Sequence, residues 1–182
     1  MKRKIMILAV LVICIALFAA GTLAYYTSEQ KAHNVITTGG VEIALNEWAD
    51  EERETPFEDL TGIMPGAAVT KIVEVENTGA STAWVRVLVD ENIELSGEGR
   101  ADPGDIVLDI NTTDWTLKDG RYYYNSPLEA GETTAPLFTS VSFDKDMGNE
   151  YQNATVTVDV SAQAVQTANN GTSALDASGW PA

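Results

Sequence analysis

The 182-residue chain holds 27 Asp and Glu against 11 Lys and Arg, with a single histidine, for a formal charge of −16. A surface this acidic, with no basic patch, repels nucleic acid and anionic lipid and argues against both as partners. The one cysteine, Cys14, lies near the start, which excludes a disulfide, a thiolate nucleophile or a cysteine metal ligand in the remainder.

Met1-Lys2-Arg3-Lys4 is a basic opening, followed by an apolar run over 5–20 and then Thr22-Leu23-Ala24. This layout predicts a secretory signal peptide over 1–24, cut between Ala24 and Tyr25. The alternative is an uncleaved membrane anchor, since no charge occurs between Ile5 and Ser28. In both cases the bulk of the chain lies outside the cytoplasm, because basic residues before the span stay inside. Loss of Lys2, Arg3 and Lys4 takes the charge from −16 to −19. Such a charge gives solubility outside the cell, and divalent cations are candidate partners for screening it. The remaining length suits one domain with a real core.

Period-2 alternation then predicts a series of strands. Val41, Ile43 and Leu45 alternate with Glu42 and Ala44, after Gly39-Gly40, which marks a bulge or sharp bend. Residues 46–61 lose the alternation and gather acids, a solvated loop, and Met64-Pro65-Gly66 is a turn. Val69, Val73 and Val75 form one row of the next strand, with Lys71 and Ile72 spoiling the pattern, and Asn77-Thr78-Gly79 ends it. In 84–90, Val85, Val87 and Val89 form one face and Trp84, Arg86 and Leu88 the other, so this strand is central with a covered second face. Residues 106–110 form a short strand. Trp115-Thr116-Leu117 and Arg121-Tyr122-Tyr123-Tyr124 form a hairpin around Asp119-Gly120. Leu137, Thr139, Val141 and Phe143 make one row of a further strand. The last strand sets Val156, Val158, Val160, Ala162 and Ala164 on one side, with a firmly fixed register. A tail over 167–182 carries Trp180 as its one large apolar group, either docked or loose.

Seven or eight short strands without a long helix predict an all-β antiparallel sandwich over 41–166, following a segment at 25–40. The pattern does not separate jelly-roll from immunoglobulin-like topology. Catalytic chemistry is absent from the pattern. The single His33 supplies no His-Glu-x-x-His and makes a poor triad member, and no phosphate loop is present. Asp144-Lys145-Asp146 opens like a calcium loop, which Gly148 and Asn149 then break. Scattered acids over 102–109 and 47–59 remain candidate calcium ligands. Trp115 with Tyr122, Tyr123 and Tyr124 is either a sugar-binding platform or cross-strand packing. Asn111, Asn153 and Asn170 match the glycosylation pattern by chance in a bacterial-type exported chain.

The junction of leader and body resembles the TasA/camelysin family of exported bacterial proteins. The residues that carry this are Gly21-Thr22-Leu23-Ala24-Tyr25-Tyr26-Thr27-Ser28, then Asn34-Val35-Ile36-Thr37-Thr38-Gly39-Gly40-Val41-Glu42-Ile43. Met64-Pro65-Gly66 before a strand ending Glu76-Asn77-Thr78-Gly79 fits the family's Pro-Gly…Asn-x-Gly pattern. The likeness is strong over 2–45, moderate to about Val89, and beyond that a similar order of strands. It implies a jelly-roll-like sandwich, a SipW-type signal peptidase as export partner, and a role in extracellular biofilm-matrix fibres. It also implies self-association, with the 25–38 segment of one subunit lending a strand to the next. The anchors would be Tyr25, Tyr26, Val35 and Ile36, with Gly39 and Gly40 as hinge, and an open sheet edge is the physical requirement. The metalloprotease label of camelysin relatives finds no residue set here, so no enzyme activity, metal or cofactor is expected. A sandwich that binds carbohydrate or another surface ligand is the alternative.

Overall fold

The computed structural model describes residues 34–37, 40–58, 64–95, 100–151 and 154–181, with backbone alone at 34–37, 103 and 150. The chain divides into units 1–32 and 33–182, and every described residue belongs to the second. The 1–24 leader, the Ala24–Tyr25 junction, Tyr26, His33 and Gly39 therefore lie outside the described residues. Among the described residues no helix is long and apolar enough to cross a membrane.

Nine strands form two sheets: β1 (Asn34–Thr37), β2 (Ile43–Trp48), β3 (Ala68–Asn77), β4 (Ala83–Glu94), β5 (Ile106–Leu108), β6 (Trp115–Lys118), β7 (Arg121–Tyr124), β8 (Phe138–Phe143) and β9 (Thr155–Gln166). One sheet has the order β1-β9-β4-β7-β6 and the other β2-β3-β8-β5. The chain crosses between sheets so that β9 lies beside β4 and β8 beside β3, the interleaved order of a jelly-roll-like sandwich. Every strand pair is antiparallel except β1 with β9, which is parallel.

The apolar rows meet between the sheets. Val73, Val75, Phe138 and Leu45 from one sheet pack against Val85, Val87, Ala162 and Ala164 from the other. Burial of each large member contributes about 1.5–3 kcal/mol. The hairpin forms as its sequence predicts: Lys118 pairs with Arg121, while Asp119 (φ 51°) and Gly120 (φ 74°) take the left-handed pair that a type I′ turn needs. Met64-Pro65-Gly66 also turns as expected, with Gly66 at φ 75° and the Ala67 N–H donating to Met64 O at 3.0 Å.

Two departures have local causes. Leu137 and Phe138 are both fully buried and Thr139 is exposed, so the expected row of Leu137, Thr139, Val141 and Phe143 is broken. The break lies where the β3–β8 register shifts between Thr70 and Val73, with Lys71 and Ile72 standing against one residue of β8. That bulge is the source of the irregularity visible in the sequence. The second departure is that the sandwich does not stop at 41 and 166. β1 joins its edge, and residues 167–181 lie on the outer face of the five-stranded sheet.

There Trp84, Tyr123, Val165 and Ala174 are buried with Leu175, Ala177 and Trp180. Arg86 lies under Trp180, 4.6 Å from its ring centroid, and donates to Gln163 Oε1 (2.6 Å) and to Pro181 O (3.0 Å). Trp84 Nε1 donates to Asn170 O at 2.9 Å. The covered second face expected for β4 is thus covered by the chain's own tail, and Trp180 docks.

Asn77 holds one end of the sandwich. Fully buried, it donates to Ser81 O (2.8 Å) and Leu128 O (2.9 Å) and accepts from Gly79 N (3.1 Å). A Cβ on Gly79 would meet Glu42 N at 2.8 Å, a backbone contact that cannot yield cheaply. Asn77→Ala should therefore lower unfolding free energy by about 3 kcal/mol, since it removes three hydrogen bonds worth about 1 kcal/mol each. Gly79→Ala should destabilise as well, and urea titration of both variants measures the two effects.

Candidate functional site

Of the segment singled out by the sequence, residues 34–37 form an edge strand of the five-stranded sheet. Val35 and Ile36 lie in β1, with Ala162 and Gln163 of β9 as Cα partners. Only four residues make this ladder, from Asn34 with Ser161 to Thr37 with Ala164. Gly40 follows with φ +76° and no atom within 4 Å of an added Cβ. The glycine is needed there for its left-handed backbone and not for space.

Beyond Gly40 the chain is clamped. Val41 is buried, and the Gly79 N–H donates to Glu42 O at 3.0 Å. Six residues of β2 then pair with β3. At the far end of β2, Lys71 Nζ sits 2.9 Å from Glu47 Oε1 and donates to Val158 O at 3.2 Å, with the Phe57 ring centroid 4.2 Å away. Both side chains are nearly buried, so removal of one partner would cost about 3–5 kcal/mol. The neighbouring Glu74 accepts from Trp48 Nε1 (3.0 Å) and from Arg53 Nε (3.0 Å). These contacts pin the acidic 49–58 loop to the four-stranded sheet. The fixed body therefore begins at Val41, and β1 stands outside these clamps.

The acidic loops offer oxygens that the protein itself uses. Asp102 Oδ1 accepts from Gly104 N (2.9 Å), and Asp105 is hydrogen-bonded by the Tyr151 hydroxyl. Asp109 accepts from Thr139 N (2.8 Å), Ser140 N (2.7 Å) and Thr139 Oγ1 (2.5 Å) at the bulged β8. Among the described residues no three His, Cys, Asp or Glu side chains converge on one point. Burial pushes Asp109 up, but the bonds from Thr139 and Ser140 outweigh it and hold the carboxyl below its usual range. Burial, and then Asp90 beside it, push Glu91 the other way.

The aromatic cluster does not form a platform. Trp115 is 2% exposed, and its Nε1 donates to Ala135 O at 3.0 Å. Tyr124 packs on it with ring centroids 5.0 Å apart. Tyr123 points to the opposite face of the sheet and meets Trp180 edge-on at 5.8 Å. This is cross-strand and tail packing. Asn111 and Asn170 likewise spend their amides on the chain itself, on Asp114 Oδ2 and Pro136 O and on Gln166 O and Ser178 O.

No protein-family model and no curated protein sequence matches the chain.

Sequence reasoning missed the Arg86–Trp180 contact and the buried Lys71–Glu47 pair. The second apolar face of β4 and the lone Trp180 were signals for the first. The broken alternation at Lys71 was the signal for the second.

A pH prediction follows from Asp109. Its lowered folded pKa stabilises the protein above the ordinary aspartate range of about 4. That contribution disappears as pH falls through the folded value. Asp109→Asn should therefore be less stable than the native chain at pH 7, and the gap should close in acid. Thermal melts from pH 7 down to about pH 2.5 check this.

Proposed function

We propose that the chain is a secreted structural protein of the bacterial cell surface or biofilm matrix, which self-assembles into fibres through its N-terminal strand. The observation that carries this is β1: four edge residues paired to β9, joined through left-handed Gly40 to a body clamped from Val41. A short terminal strand loses little when it leaves its own edge. The same ladder re-forms when the β1 of another copy takes its place, so exchange in trans recovers what is lost in cis.

In this reading the SipW-type peptidase acts first. Cleavage after Ala24 frees Tyr25 and Tyr26, which extend the donor ahead of Val35 and Ile36. Gly39 and Gly40 supply the hinge. Main-chain hydrogen bonds provide affinity, and alternate side chains provide fit. Divalent cations screen the −19 charge of the cleaved chain, −16 less the three positive charges of Lys2, Arg3 and Lys4, as subunits approach. No catalytic residue is assigned. The carbohydrate-binding alternative is disfavoured because Trp115 and Tyr123 are buried on opposite faces.

Negative-stain electron microscopy of the protein purified from an exporting bacterium tests the reading. Fibres are expected from the native chain, and deletion of residues 25–37 should leave dispersed particles with a sandwich-like circular dichroism spectrum. Fibres of unchanged abundance from the deletion would refute strand donation.

A further inference from the structure

We propose that the β6 edge, with Leu117, Lys118 and Arg121, is a docking surface for the acidic 50–54 loop of a second copy. This rests on the self-assembly reading and adds to it a second contact between copies, made by the sheet edge opposite the one where β1 pairs.

β6 is the free edge of the five-stranded sheet on the side away from β1. Leu117 on it is 60% exposed, among the most exposed large apolar residues described. Lys118 and Arg121 are direct cross-strand partners in the β6–β7 hairpin. Like charges placed so are mutually unfavourable. Asp119 in the turn is the acidic residue next to them in sequence. Three other cations have carboxylate partners, Arg53 with Glu74, Lys71 with Glu47 and Lys145 with Asp146, and Arg86 is held under Trp180 by Gln163 and Pro181 O. Among the described residues Lys118 and Arg121 form no ion pair. Lys118 Nζ reaches only a carbonyl, Leu175 O at 3.4 Å, and Arg121 Nε is buried without a hydrogen-bond partner. In a chain of net charge −16 this hairpin is a cationic spot left unneutralised.

The complementary surface lies across the molecule. β2 touches β1 and β9, so the β1 and β2 edges share one side, and β6 lies on the other. Beside the end of β2, Glu51, Glu52 and Glu54 are exposed, with Asp50 next to them. Lysine on an edge strand opposes pairing of two like edges. Two β6 edges would bring four cations together, whereas an acidic loop is attracted. The charge pattern therefore selects head-to-tail contact, which uses different patches on each copy and leaves each added copy a further patch to bind the next.

The test is a charge exchange on the full chain purified from an exporting bacterium. One variant carries Lys118→Glu with Arg121→Glu, the other Glu51→Lys with Glu52→Lys. Circular dichroism verifies that both fold. Sedimentation velocity and light scattering should show self-association reduced at least tenfold in each variant alone, and restored when the two are mixed. A general effect of net charge predicts otherwise, because the second variant is less acidic and would associate better. If native protein assembles and the variants assemble equally well, or the mixture gains nothing, the docking surface is wrong while self-assembly stands. If native protein stays monomeric throughout, both fall.

Discussion

The pairing of β4 with β9 is the constraint on which the rest of the structure depends. Twelve residues of each strand pair in unbroken antiparallel register, from Ala83 with Gln166 to Glu94 with Thr155. Because side chains alternate, the register assigns every residue of both strands to one of two tasks. Val85, Val87, Ala162 and Ala164 form the floor of the core. Trp84, Arg86, Gln163 and Val165 form the bed on which the tail lies. A slip by one residue would exchange the two sets, burying Arg86 among valines. β9 also offers its other edge to β1, so β1 and the tail are both referred to the same ladder.

The strands were legible because their burial follows period 2 and the body lacks long helices. Even the flaw at Lys71 and Ile72 was legible as a flaw. Its meaning was not, because a bulge is defined by the partner strand, and nothing near Lys71 in sequence names Thr139, Glu47 or Val158. The tail shows the same limit. Residues 167–181 have no regular alternation, since they pack as turns around Asn170 and Trp180 against a surface set far earlier in the chain. Asn77 was readable as a turn residue, but its hold on Leu128 spans 51 residues. For β1, the extended character of Val35 and Ile36 was visible, while the parallel partner depends on tertiary placement. Aromatic residues at Trp115 and Tyr122–Tyr124 were the least decisive signal, because exposure and not identity separates a platform from a core.

The interior gives the body several independent fasteners. The bulge directs Lys71 between the sheets, where Glu47, Val158 O and the Phe57 ring satisfy it. Asn77 closes the end near Gly79. The tail seals the outer face of β4. Against this background β1 differs in kind. It is short, lies at an edge, and is joined to the clamped body through left-handed Gly40. Strength elsewhere would let that strand leave its edge, as the proposed exchange requires, without the subunit losing its fold.

The central claim is that β1 belongs to a neighbouring copy in the assembled state. Asn34 and Ser161 are Cα partners, and the chain's one native cysteine, Cys14, precedes the described residues. Asn34→Cys with Ser161→Cys therefore reports directly on who pairs with whom. Oxidation of assembled protein, followed by non-reducing electrophoresis, should give a ladder of covalent dimers, trimers and longer chains. A single monomer band carrying an internal disulfide would contradict the account.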